Sequence, residues 1–267
     1  MRGVKGLCQF RLSLVLWLIW GCAAAGGSVR NEQLARDKHQ LGVSYLNAGA
    51  LSLAQKELLE ALELAPKDPL IHVAIGRNYF AQKRHTLALD SYSKALVLDP
   101  KLSIARFYLG TLYLDMKRWD DAIRELRSIT NDPTFESLQY VHNNIGLAHL
   151  EKGEYPQAIR EFKKAIDYQS DFAEVHHNLG LVYFRLGNRE MAIEEYREAL
   201  RLYPQFARAR LDLAVAYAEI GDKEQATREL TRVIELSPQS ALADLSQRYL
   251  ESLRQTGRIP SRSLFVP

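Results

Sequence analysis

Cysteine is almost absent from this chain, with Cys8 and Cys22 the two present in 267 residues. A disulfide framework of the kind that staples small secreted domains is excluded, and so is a four-cysteine zinc site. Long apolar runs are lacking too. The pronounced one, Leu12 to Gly21, is shorter than the roughly 20 residues a bilayer-spanning helix needs. Charge of one sign is scarce: 35 Lys and Arg face 32 Asp and Glu. Arg2, Lys5 and Arg11 account for the excess, so the chain from Cys22 onward is formally neutral. That balance gives no electrostatic footprint for nucleic acid, which a clustered basic surface would supply. No phosphate loop, Gly-rich dinucleotide turn or zinc-protease pair of histidines flanking a glutamate is present. His176 and His177 are adjacent, and neighbouring helical residues diverge by about 100°, which is a poor chelate. Glu194-Glu195 and Asp120-Asp121 read as solvated helix faces. No catalytic residue, cofactor-binding residue or metal ligand emerges, and the chain is expected not to be an enzyme.

What is present begins at the N-terminus. Three basic residues precede the apolar run Leu12-Ser13-Leu14-Val15-Leu16-Trp17-Leu18-Ile19-Trp20-Gly21, which Cys22 closes. This is the layout of a secretory signal. Ile19-Trp20-Gly21-Cys22 resembles the lipobox of bacterial lipoproteins, with Trp20 where a small residue is more common. That resemblance implies a signal peptide over residues 1–21 and an acylated Cys22 as the mature N-terminus. An ordinary secretory signal or an uncleaved anchor are the alternatives. Residues 22–34, rich in small and polar types, read as a flexible tether. Ala rather than Asp at position 23 implies sorting to the outer membrane, with the domain on its periplasmic face.

From Ala35 the chain repeats with a period of 34 residues. Gly42, Gly76 and Gly110 keep that spacing, Gly146 follows after 36, and Gly180 and Ala214 resume it. Tyr45, Tyr79, Tyr113, His149, Tyr183 and Tyr217 lie three residues beyond each. Alanines recur at 54, 88, 122, 158, 192 and 226, and Pro66, Pro100, Pro204 and Pro238 close their units. The pattern resembles the tetratricopeptide repeat, a helix-turn-helix unit of 34 residues. It implies an all-α fold: a right-handed superhelical solenoid of six units, 35–68, 69–102, 103–138, 139–172, 173–206 and 207–240. Gly49, Gly153, Gly187 and Gly221 fall at the turns, where a left-handed residue ends a helix at little cost, and Lys83 and Lys117 replace them in the second and third units. The third unit is two residues longer, and its Pro133 shortens the second helix. Residues 241–254 carry an apolar stripe, Ala241, Leu245, Tyr249, Leu250 and Leu253, suited to a capping helix. Residues 255–267 read as a disordered tail carrying Leu264-Phe265-Val266.

In this repeat the first helices line a concave face. The face residues expected to hold a partner are Val73, Arg77, Phe80, Phe107, Leu114, Tyr140, Asn143, Leu147, His177, Leu181, Phe184 and Leu211. They form a largely apolar groove suited to an apolar strand or an amphipathic helix. Lysines of a carboxylate clamp are missing from it.

A lipobox, a short tether and six such repeats resemble the pilotins of type IV pili, outer-membrane lipoproteins that help a secretin localise and form its multimeric ring. Asn143-Asn144-Ile145-Gly146 and the Asp132-Pro133-Thr134 link carry the likeness in detail. The resemblance implies a lipid-anchored adaptor whose groove holds a secretin subunit or another pilus assembly component. A scaffold lipoprotein for polysaccharide export or cell-wall synthesis, a regulator of an envelope enzyme and a soluble periplasmic binder are the competing readings. The oligomeric state is not fixed by any feature of the chain.

Overall fold

The computed structural model describes residues 30–260. Cys22 and Leu264-Phe265-Val266 lie outside them. Among the described residues the protein is all-α, with no strand. After α1 (30–47) come α2 (Leu51–Leu64), α3 (Pro69–Ala81), α4 (His85–Leu98), α5 (Ser103–Asp115), α6 (Trp119–Arg127), α7 (Leu138–Glu151), α8 (Tyr155–Tyr168), α9 (Ala173–Arg185), α10 (Arg189–Leu202), α11 (Ala207–Glu219), α12 (Lys223–Leu236) and α13 (Ala241–Thr256). They form paired helix-turn-helix units followed by a capping helix. The chain divides into two compact halves, one through Leu112 and one from Tyr113.

The repeat residues earn their places by size. Ala54, Ala88, Ala122, Ala158, Ala192 and Ala226 are all fully buried, where the two helices of a unit meet. A Cβ on Gly146 would stand 2.6 Å from the Phe162 ring, and one on Gly180 would stand 2.6 Å from Tyr196. Each aromatic lies sixteen residues beyond its glycine and fills the seam that the missing side chain leaves. Each first helix ends in a left-handed residue. Gly49, Gly153, Gly187 and Gly221 adopt it freely, while Lys83 and Lys117 are forced into it at φ of 59° and 58°. Pro66, Pro100, Pro204 and Pro238 each follow the last residue of a second helix by two positions, where the chain cannot continue helical.

Three features differ from the sequence reading. The first helix starts at residue 30, inside the segment read as tether. The capping stripe holds at Leu245, Tyr249, Leu250 and Leu253, which pack on the core, but Ala241 is exposed and Ala243 and Ser246 are buried instead. Ala241 opens the helix just after the cap Ser240, whose hydroxyl accepts from Ala243 N–H, so its side chain precedes the face that docks. The described part of the tail is also ordered. Helix α13 runs to Thr256, Gly257 ends it with a left-handed turn, and Ile259 packs on the cluster around Leu230, Val233 and Tyr249. The shortened helix of the third unit is present: α6 has 9 residues, while α2, α4, α8, α10 and α12 have 14 each.

Candidate partner-binding face

The first helices of successive units stand side by side within each half. In the N-terminal half the Arg77 guanidinium of α3 donates to Asn47 Oδ1 of α1 at 3.2 Å and lies 4.9 Å from the centre of the Tyr108 ring of α5. In the C-terminal half Asn178 of α9 donates to Asn143 Oδ1 of α7 at 3.0 Å. His177 of α9 meets Asp212 of α11 at 2.8 Å, with Phe206 and Tyr196 around its ring. Each of these two links spans 35 residues, one repeat plus one, so the same register joins α7 to α9 and α9 to α11.

Burial separates the expected face residues into layers. Val73 in the N-terminal half and Asn143, His177 and Leu211 in the C-terminal half are buried. Arg77, Phe80, Phe107, Leu114, Leu147, Leu181 and Phe184 are half-buried, and Tyr140 is exposed at 42%. The aromatic members are already partnered on one side. Tyr140 sets its ring edge-on to Phe172 at 5.1 Å, and Phe107 does so to Tyr108 at 5.4 Å. Arg189 covers Phe184 at 4.0 Å and Lys83 covers Phe80 at 5.5 Å. Arg189 also bonds the Phe184 carbonyl and Glu219, so the cation over Phe184 is held in place. Two of the four rings, Phe80 and Phe184, thus lie under a cation, a setting that suits apolar groups with acidic neighbours.

A second set of residues was missed by motif reading. Lys38–Glu57, His142–Glu161, His176–Glu195 and Arg210–Glu229 are ion pairs that join the two helices of a unit, each 19 residues apart. The same basic side chain reaches the joint behind it. His72 meets the Pro66 carbonyl at 3.3 Å, and Arg106 and Arg210 donate to the Pro100 and Pro204 carbonyls at 2.8 Å. Glu195, read as solvated, is thus a half-buried partner of His176. Asp121, read the same way, is gripped by Arg118 and Arg124. The signal lay in the register: positions 38, 72, 106, 142, 176 and 210 are all Lys, Arg or His.

Electrostatics follow these pairs. Hydrogen bonding to Glu195 holds His176 above the usual imidazole range. Burial works against the charge on Glu161, yet hydrogen bonds from His142 and Lys164 outweigh it and hold the carboxyl down at about 2. Burial pushes His39 below the ordinary range. These are structural pairs between helices, and among the described residues no group of three or more His, Cys, Asp or Glu is placed to hold a metal ion. No described helix is long and apolar enough to cross a membrane.

Comparison with known proteins agrees with this architecture. Tetratricopeptide-repeat family models match residues 39–103, 105–134, 146–187, 173–206 and 190–249. The type IV pilus assembly protein PilF of Pseudomonas aeruginosa is 30% identical over 166 residues, covering 58% of this chain and 66% of that protein. The solved structure of Pseudomonas aeruginosa PilF superimposes with a TM-score of 0.71 at 22% identity, covering 81% of this chain and 98% of the other. PilW, described as a widely conserved type IV pilus biogenesis factor, gives 0.75 at 18% identity, covering 84% and 99%.

Proposed function

We propose, for a chain that is a tetratricopeptide-repeat protein related to type IV pilus assembly factors, that it acts as a non-enzymatic adaptor in pilus biogenesis. One observation carries this reading: the first-helix faces carry aromatic rings that are not fully buried, half-buried Phe80 and Phe107 in the N-terminal half and half-buried Phe184 with exposed Tyr140 in the C-terminal half. Half-buried aromatics on a rigid floor are the usual anchors of a protein interface. The occupant is an apolar segment of a secretin subunit, held while the ring assembles. In the N-terminal half Val73 lies beneath Arg77, Phe80 and Phe107 as contacts; in the C-terminal half Asn143, His177 and Leu211 lie beneath Leu114, Tyr140, Leu147, Leu181 and Phe184 as contacts.

The adaptor works from a membrane. Acylated Cys22 holds it at the periplasmic face of the outer membrane, and tethering raises the effective concentration of the groove there without adding any contact. No bond is made or broken, so the effect is on the rate and yield of assembly.

The test is secretin multimer yield in a strain lacking the gene. Restoring the parent chain should restore the multimer, and the Cys22→Ala chain should fold, leave the membrane fraction and restore it poorly. Normal multimer without the gene would remove the assembly role. Full membrane retention of Cys22→Ala would remove the lipid anchor.

A further inference from the structure

The first unit has an end that nothing among the described residues covers. In every later unit the aliphatic side chain just ahead of the seam position is buried: Ile75, Leu109, Ile145, Leu179 and Leu213 are at most 6% exposed. The cover is the second helix of the unit before. Ile75 clusters with Leu58 and Ala61 of α2, Leu179 with Phe162 and Ala165 of α8, and Leu213 with Tyr196 of α10. Leu41 holds this register in α1, where no described unit precedes, and it is 41% exposed.

Two other leucines share that end. Leu34 lies seven residues before Leu41 on one stripe of α1, with Lys38 between them. Lys38 reaches across to Glu57 and Glu60 of α2 at 2.7 and 2.6 Å, and Leu53 opens the stripe of α2 that those glutamates continue. Leu34 is 44% exposed and Leu53 50%, while the later units are half-buried at the register of Leu53. The charges between the leucines neutralise one another, Lys38 and Lys56 against Glu57 and Glu60. A solenoid end in water needs a polar outer face or a cover. The last unit has its cover in α13, which sets Tyr249 and Leu253 beside Leu230 and Val233. The α1 end is left with three bare leucines among the described residues.

We propose that this end rests on the lipid bilayer, with Leu34, Leu41 and Leu53 in the layer between headgroups and acyl chains. This builds on the adaptor reading, in which Cys22 is acylated. Cys22 stands eight residues before Arg30, where α1 begins. The lipid and the helix are therefore at most about 29 Å apart, even with that stretch fully extended. The α1 end is thus the part of the N-terminal half held next to the headgroups. Leucines without net charge between them suit that layer, where binding scales with the apolar area buried. The consequence is orientation. A chain held by its lipid alone swivels about the tether, while one that also rests its α1 end on the bilayer presents Phe80 and Phe107 of the same half in a fixed direction.

The test uses the acylated chain purified from envelopes and reconstituted into phosphatidylcholine vesicles whose acyl chains carry bromine, a quencher of tryptophan. In a Trp119→Phe background, Leu53→Trp reports on the α1 end. Val97→Trp, at a site 80% exposed on α4 of the same half, is the control. Brominated lipid should quench Leu53→Trp by at least about twofold and leave Val97→Trp unchanged. Adding Leu34→Gln/Leu41→Gln should restore the Leu53→Trp emission, with flotation on the vesicles and helicity by circular dichroism retained. Flotation without quenching at Leu53→Trp, equal quenching at both sites, or quenching that survives the Gln pair would each overturn the proposal and leave the lipid anchor standing. Flotation without quenching but with a crosslinked dimer would assign the end to a second copy instead. A chain that does not float removes the anchor and the proposal together.

Discussion

At Gly146 and Gly180 a hydrogen atom decides the geometry of a helix pair. An added methyl would stand 2.6 Å from a buried ring in either case, so Gly146→Ala should cost about 1–3 kcal/mol through overpacking. Gly153→Ala meets nothing within 4 Å, and its cost comes from φ of +74° alone, about 1 kcal/mol. Thermal unfolding of both variants separates the mechanisms. Lys117 is the converse case: Lys117→Gly relieves a left-handed lysine, offset in part by glycine's larger unfolded-state entropy. A net gain of about 0.5 kcal/mol is expected, read as a rise in Tm of about 1–2 °C. Tyr92 carries a buried hydroxyl with no partner among the described residues, and burial pushes its phenol above the ordinary range. Phe162 fills the equivalent place two repeats on without any hydroxyl. Tyr92→Phe should therefore be neutral or stabilising, by up to about 1 kcal/mol.

Between elements, the strongest regularity is the pair of side chains 19 residues apart that ties first helix to second in four of the units. His176 makes one such pair dependent on pH. Its folded pKa lies above the unfolded value of 6.5 because Glu195 favours the charged ring. The stability it contributes is full below pH 6.5 and is lost as pH rises through the folded pKa. Unfolding midpoints between pH 5.5 and 8.5 should fall with rising pH in the parent and fall less in His176→Gln. Glu161 acts with the opposite sign. Its contribution is present above pH 4.5 and is lost as pH falls through about 2. The capping helix is tested by Tyr249→Ala, which empties a buried site beside Leu230 and Val233 and should cost about 3 kcal/mol.

The repeat period, the seam glycines and the turn residues were legible in the sequence because each follows from size or φ at a single position. The ion pairs were not, since a side chain such as Glu195 has no meaning until His176 on another helix is placed against it. The stripe of α13 was legible from Leu245 to Leu253, but its first residue was not: Ala241 and Ala243 look alike, and only the cap at Ser240 fixes which of them faces inward. The expected face residues were legible as a set, while their division into a buried floor and an open rim depends on the neighbouring helices. His177, for example, is buried by its bond to Asp212.

Across the whole molecule the small net charge, +3 in 267 residues, and the paired helices argue for holding a partner through apolar anchors more than through charge. The most direct measurement is the affinity of the full chain for a purified secretin subunit, compared with a Tyr140→Ser/Phe184→Ser chain whose helicity and Tm stay close to the parent's. Removing two interface anchors should weaken binding by at least about tenfold. An unchanged affinity, with the subunit still bound, would contradict the account by placing the partner somewhere other than the first-helix face.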